Sequence, residues 1–262
     1  MENLDMENNK PIKVLFLVMY SGEGDYDKCI ESAKNQIGIE PYFYEVRHQP
    51  LMNAHYEIYS YWNEHRDEYD MFVKLDADFV LYNDTKIIDV YNAMSKTNLA
   101  ILCVWADDFL RKRLIPGMVF GNKHCTFNVN NVINGEKAVY DTGMYVIEDG
   151  YRFDDTSIAQ SLAPSALHGH YSYPIQLFAQ GVKRRLRRGG QWDIYQIVQH
   201  EFNNNPDKLR FMFLIGWALA ENVLSNDYNY TDKKFNEYFT KVNELVNTTD
   251  HGYKVSNILN NL

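Results

Sequence analysis

Asp76 and Asp78 stand two residues apart at the end of the largely apolar run Asp70-Met-Phe-Val-Lys-Leu75. Two carboxylates at i and i+2, where a buried strand runs out, can converge on one hard cation if the chain bends there; on a regular strand they share a face. Mg²⁺ or Mn²⁺ held by one or two such oxygens keeps open positions for substrate phosphates. The same triplet also occurs as a solvated strand-end turn. Position gives this one weight, because ligands in open α/β sheets gather at the carboxyl ends of strands. Lys74, two residues earlier, either approaches the same ligand or forms a buried salt bridge.

A second constellation is Leu167-His168-Gly-His170-Tyr-Ser-Tyr-Pro174. A neutral imidazole is a competent metal ligand, and the glycine lets the backbone pass close to a phosphate. A third is the basic run Lys183-Arg-Arg-Leu-Arg-Arg188. It could bind a diphosphate, a phospholipid surface or a lipid-pyrophosphate acceptor. It could equally be a solvated helix face with a C-terminal cap before Gly189.

These groups need elements to hold them. Ile12 to Met19 is a nearly continuous apolar run rich in branched residues, which predicts a buried strand of parallel type, followed by a polar turn over Tyr20-Ser-Gly-Glu-Gly-Asp25. A helix is expected over Tyr26 to Gln36, ended by Gly38 in a left-handed cap. Pro41 to Val46 predicts a second strand, Asn53 to Tyr69 a second helix, and Tyr69 to Leu75 a third strand leading into Asp76 and Asp78. This alternation points to a parallel α/β sheet. Lys86 to Ser95 predicts a helix and Leu99 to Trp105 a fourth strand, while Gly121 to Gly135 suggests loops or a short hairpin. Ala138 to Ile147 is expected as a strand through Asp141-Thr-Gly143, and the chain turns helical again from Ile175. Near the end, Phe235, Tyr238, Phe239, Val242, Leu245 and Val246 recur at offsets of three and four, one apolar stripe on a helix. The expected organisation is one α/β domain over residues 1–190 with a helical extension over 191–262 packed on it.

Composition limits what such a chain does. With 262 residues, 45% hydrophobic and 15% aromatic content, it can bury a sizeable core and is not disordered as a whole. A net charge of −9 argues against a general nucleic-acid binder. Three cysteines at unrelated spacings, Cys29, Cys103 and Cys125, form neither a disulfide framework nor a zinc knuckle, which fits a reducing compartment. The polar, acidic opening residues carry no secretory signal pattern. The longest apolar runs are well short of the ~18 residues that span a bilayer. The expectation is a soluble cytoplasmic protein, with peripheral contact at the inner face of a membrane through Lys183–Arg188 left open, as is the oligomeric state.

The stretch Asp70-Met-Phe-Val-Lys-Leu-Asp-Ala-Asp78 resembles the nucleotide-sugar glycosyltransferases of the GT-A fold, whose Asp-x-Asp motif follows a hydrophobic strand. The order of elements extends the resemblance over about the first 105 residues. It implies a Rossmann-like, mostly parallel central sheet flanked by helices. It also implies Mn²⁺ or Mg²⁺ bridging Asp78, and often Asp76, to the diphosphate of a sugar donor, a UDP-sugar above all. The base and ribose would lie near Tyr20, Ser21, Gly22 and Glu23; Arg47 at the end of the second strand, the early helical Asn53, and Lys74 would approach the nucleotide. Many relatives complete the metal site with a histidine from the C-terminal half, and His168 is chosen here over His170. The acceptor would be a glycan or a lipid-linked sugar, as in synthesis of cell-surface polysaccharides and glycoconjugates.

An inverting transferase needs a base for the acceptor hydroxyl. Candidates are Asp107 or Asp108, Asp141, Glu148 or Asp149, and Asp154 or Asp155. The usual place of the base in inverting relatives, upstream of the histidine, favours Asp154 or Asp155. The sequence lacks the clean Glu-Asp pair of that pattern, which leaves the base and the stereochemical outcome open. Two other classes compete. Asp76-Ala-Asp-Phe-Val80 also resembles the nucleophile motif of haloacid-dehalogenase phosphohydrolases, though that motif usually lies on the first strand and here two strands precede it. Twenty tyrosines and four tryptophans would also suit a non-catalytic carbohydrate- or nucleotide-binding module. A dinucleotide fingerprint at Gly22-Glu-Gly24 fails, because Asp27 stands where the third glycine belongs.

Overall fold

The structure is a computed structural model, and it describes residues 10–129, 145–186, 191–223, 233–248 and 254–260. The chain divides into two compact units. One comprises Met1–Ser21, Asp25–Asp107 and Leu114–His168; the other comprises Gly22–Gly24, Asp108–Arg113 and Gly169–Leu262.

The first unit is built on a mostly parallel central sheet flanked by helices. Strands β1 (Ile12–Tyr20), β2 (Ile39–Arg47) and β3 (Met71–Asp76) are parallel, with β1 between the other two. Helices α1 (Tyr26–Lys34) and α2 (Leu51–His65) make the two crossovers. The unbroken apolar run of β1 has a simple cause: both of its faces are covered. Val14, Phe16 and Val18 join one core with Cys29, Ile30 and Ala33 of α1, while Leu15 and Leu17 join another with Ile58, Tyr59 and Trp62 of α2.

Beyond β3 the sheet continues as β6 (Arg113–Asn122), β5 (Leu99–Asp108), β10 (Ala166–His168) and β4 (Phe79–Leu81), with β9 (Arg152–Phe153) pairing on β5. Helix α3 (Lys86–Thr97) leads into β5 and buries Ile87, Val90 and Met94. β6 is antiparallel to β3, and the four-residue connection from β5 makes β5 antiparallel to β6. β5 therefore runs with β3, and both end at the same edge. A short antiparallel pair, β7 (Cys125–Phe127) with β8 (Tyr145–Ile147), lies off the main sheet and is held to α2 by Trp62 Nε1 donating to the Cys125 carbonyl at 2.8 Å. Of the strand expected through Asp141, only Tyr145–Ile147 is described; Asp141 lies outside the described residues.

Gly38 departs from its expected role. Its φ is +79°, but the helix already ends at Asn35 with φ −84°, so the glycine shapes the turn into β2 rather than the cap. Helix α4 (Thr156–Ser161) precedes β10.

The second unit is helical, with α5 (Pro174–Leu186), α6 (Trp192–Asn204), α7 (Lys208–Val223), α8 (Lys233–Thr248) and α9 (Val255–Leu259). From Phe211 to Trp217 every residue of α7 is buried, the behaviour of a helix that is apolar all round. Gly181 of α5 and Gly216 of α7 let these two helices touch backbone to backbone: a Cβ on Gly181 would lie 2.1 Å from the Phe213 carbonyl oxygen, and one on Gly216 2.1 Å from that of Phe178. The expected α8 stripe is present, with Phe235, Val242 and Val246 buried. Among the described residues no helix is long and apolar enough to cross a membrane.

Candidate functional site

Asp76 closes β3, and the chain then turns through Ala77 and Asp78 into β4. The Ala77 amide donates to the Met19 carbonyl at 3.2 Å, and Ala77 itself is buried, so the turn is fastened to the end of β1. After it, β4 pairs antiparallel with β10 and sets Phe79 opposite His168. That register carries the imidazole to the turn: His168 Nε2 lies 3.2 Å from Asp78 Oδ2, with both side chains about one-fifth exposed. The Phe79 ring packs 4.5 Å from the imidazole. It fits because Gly117 of β6 has no side chain, a Cβ there falling 2.6 Å from the Phe79 ring. The sequence separates Asp78 from His168 by ninety positions, and the sheet brings them together.

Lys74 and Asp76 form the neighbouring pair. Both point to one side of β3, and Lys74 Nζ lies 3.0 Å and 3.4 Å from the two Asp76 oxygens. The ammonium is 3% exposed and the carboxylate 37%, so the pair is rooted in the sheet and opens at its edge. A buried lysine of this kind needs a carboxylate to offset the loss of water. Of the alternatives for Lys74, the buried salt bridge is present.

At the same ends of β1 and β2, Tyr20, Tyr26, Arg47 and His48 form an aromatic and cationic cluster. The Arg47 guanidinium lies 5.2 Å from the Tyr20 ring and 4.7 Å from the Tyr26 ring, and the His48 ring is 5.2 Å from Tyr20. Arg47 Nε donates to Glu45 Oε2 at 3.0 Å and is paired by the same carboxylate. Burial, then the hydrogen bond to Glu45, pushes the Tyr26 hydroxyl up to about 12, so it stays a donor at neutral pH. Tyr26, Glu45 and His48 escape sequence reading: Tyr26 opens α1 while Glu45 and His48 flank the end of β2, and no motif joins the helix to the strand. Ser21 is exposed, Gly22 takes φ +110°, Glu23 is half-buried, and Asn53 is exposed in the first turn of α2.

Asp154 and Asp155, expected as candidate bases, have other tasks. Asp154 Oδ1 accepts from the Cys103 and Asp155 amides, and the Asp154 amide donates to the Ile101 carbonyl. Asp155 caps α4, accepting from the Ser157 and Ile158 amides. Both therefore lie beside Ile101 and Cys103, short of the edge where β5 ends. Asp107 lies on that edge instead. The Ser165 amide, just before β10, donates to the Trp105 carbonyl near the end of β5, two residues before Asp107. His170 belongs to the second unit, its ring 5.8 Å from Phe109. Of the basic run, Arg184 donates to Gln191 at 2.9 Å and Arg185 stacks over Trp192 at 5.3 Å; Arg187 and Arg188 lie outside the described residues.

Among the described residues no group of three or more His, Cys, Asp or Glu side chains could hold a metal. A pair of donors does fit one. Ligands at 2.0–2.1 Å and at right angles around a magnesium-sized ion are about 3 Å apart, which matches the Asp78–His168 spacing of 3.2 Å. Two protein donors also suit an ion that takes its other ligands from phosphate and water.

No family model matches the chain, and no curated protein matches it. Among solved structures it is similar to A197 from STIV, with 12% identity over 48% of this chain and 70% of that one, at a TM-score of 0.33. It is also similar to a glycosyltransferase involved in the glycosylation of the major capsid of PBCV-1, with 14% identity over 62% of this chain and 95% of that one, at a TM-score of 0.34. Neither overlap is close enough to assign a family.

Proposed function

We propose that the protein is a divalent-cation-dependent glycosyltransferase, moving a sugar from a nucleoside diphosphate donor to a glycan or lipid-linked acceptor. The observation that carries this reading is the meeting of Asp78 and His168 at 3.2 Å, on the sheet edge where β1, β3 and β5 end. Asp78 and His168 would hold Mn²⁺ or Mg²⁺, with Asp76 beside them, and the ion would supply positive charge for the departing diphosphate. Tyr20, Ser21 and Arg47 would take the nucleoside, where an aromatic ring with a guanidinium above it suits a planar base. In this reading Asp107, at the end of β5, takes the proton of the acceptor hydroxyl in place of Asp154 and Asp155, whose carboxylates accept from backbone amides.

The test is to incubate the purified protein with a panel of nucleotide sugars, with and without Mn²⁺, and to follow donor cleavage and melting temperature. Metal-dependent cleavage of one donor, or stabilisation by it, is the expected result. Cleavage of a phosphomonoester with no response to any nucleotide sugar would favour the phosphohydrolase instead. Sugar or nucleotide binding without turnover would favour the binding module.

A further inference from the structure

The turn between β5 and β6 belongs to the helical unit: residues 108–113 group with it, and Phe109 and Leu110 pack against its core. Asp108 fixes this turn. Its carboxylate accepts from the Arg111 amide at 2.5 Å, and its carbonyl accepts from the Lys112 amide at 2.9 Å. Lys112 takes φ +51°, and its ammonium lies over the Phe109 ring, 5.4 Å from the centre. The Arg210 guanidinium, from the first turn of α7, lies over the same ring at 4.7 Å.

Two cations on one ring repel each other, and the acids beside them leave the repulsion in place. Asp207 pairs with Arg210, its Oδ2 2.5 Å from Nη1, and Asp108 pairs with Arg111 at 3.6 Å. Among the described residues no carboxylate pairs with Lys112. Arg111, Lys112 and Arg113 follow one another, so the turn is positive in a chain of net charge −9. The Arg210 side chain is 7% exposed, and its Nε–H is buried with no hydrogen-bond partner among the described residues. Such a donor is costly unless an acceptor reaches it. A guanidinium lying over a ring keeps its donors in its own plane, where they match an oxyanion with several acceptor oxygens. A phosphate group brings close to two negative charges and three such oxygens.

We propose that Arg210 and Lys112 form a phosphate-binding site at Phe109, on the helical unit. Phosphate oxygens accept from the Arg210 guanidinium and from the Lys112 ammonium, which turns from the ring face to the ligand. His170, whose ring meets Phe109 edge-on at 5.8 Å, borders the site. The chemistry recognised is a phosphate ester, carried by a soluble compound or by a phospholipid headgroup. The inference depends neither on the transferase reading nor on its cation site.

The experiment is a titration of the full chain with inorganic phosphate, followed by the phosphorus-31 resonance of the ligand, with a melting curve for each variant. EDTA is present throughout, so that no divalent ion carries phosphate to a carboxylate. Lys112→Gly, which removes the ammonium at a φ that glycine takes without strain, is expected to weaken binding by roughly fivefold. Arg210→Lys, which keeps a charge beside Asp207 but loses the planar fork, weakens it by roughly tenfold. Arg185→Ala, in the basic run of α5, leaves it within about twofold. Sedimentation with phosphatidylcholine vesicles, with and without phosphatidic acid, separates the two sources. Vesicle binding that needs phosphatidic acid and is lost in Lys112→Gly identifies a headgroup; its absence identifies a soluble ester. No phosphate binding by the unsubstituted chain, unchanged affinity in folded Lys112→Gly, or a loss confined to Arg185→Ala would overturn the inference. Should Arg210→Lys fail to fold, Lys112→Gly decides alone.

Discussion

His168 Nε2 lies 3.2 Å from Asp78 Oδ2, across a strand pairing between β4 and β10 that sets Phe79 opposite His168. The pairing distinguishes two histidines that the sequence places two residues apart. His168→Ala is expected to lower donor turnover by roughly a hundredfold, since it removes a proposed metal ligand. His170→Ala, whose ring packs on Phe109 instead, leaves turnover within a few-fold. Steady-state assays at saturating Mn²⁺ check this, and equal losses in the two variants would contradict it.

Arg47 is held by Glu45 and lies over the rings of Tyr20 and Tyr26. A cation over an aromatic face contributes about 0.5–1 kcal/mol at an exposed site. Arg47→Ala is therefore expected to raise the donor KM several-fold with little change in kcat, because the contact is made in the ground state as much as in the transition state. A fall in kcat at unchanged KM would move Arg47 from binding to chemistry.

Asp155 separates stability from catalysis. Its carboxyl is held below the usual range chiefly by the Ser157 hydroxyl, then by the Ile158 amide. A carboxyl whose folded value is depressed stabilises the fold above its unfolded value, about 3.9, and that contribution disappears as pH falls through the folded value. Asp155→Ala should thus melt lower than the unsubstituted protein at pH 7, by a margin that closes in acid, while specific activity of the folded enzyme is retained. Melting curves from pH 7 down to the acid limit of folding, beside assays at pH 7, measure both. Abolished turnover in a folded Asp155→Ala would return this residue to the reaction.

Gly181 and Gly216 stand where α5 and α7 meet backbone to backbone, and the atoms a Cβ would strike are carbonyl oxygens that cannot rotate away. Gly181→Ala is expected to destabilise the fold by about 3 kcal/mol or more, at the upper end of the range for overpacking. Chemical denaturation measures it; a loss under about 0.5 kcal/mol, the ordinary size of an exposed surface change, would contradict the close packing.

How far these relationships could be read from the chain depends on what each element needs. Ile12–Tyr20 and Met71–Asp76 are legible because a strand covered on both faces must be apolar almost throughout. The stripe from Phe235 to Val246 is legible because a helix with one buried face repeats at three and four. Asp76 and Asp78 stand out as charges where such a strand stops. The resemblance singles out His168 but not its partner, because β4 and β10 are three-residue strands whose pairing depends on the whole sheet. Alternation places the Lys74 side chain on the side of Asp76, and the structure adds the buried salt bridge between them. Asp154 and Asp155 are harder to read, because carboxylates in a turn look alike in sequence whether they accept from backbone amides or take a proton.

In the proposed function Asp78 serves a cation on which donor cleavage depends. The most direct measurement is the Mn²⁺-dependent turnover of the donor by Asp78→Ala, beside its melting temperature. Turnover is expected to fall by roughly 10³-fold while the melting temperature stays near that of the unsubstituted protein, since the side chain is partly exposed at a turn. Full turnover in Asp78→Ala would contradict the account.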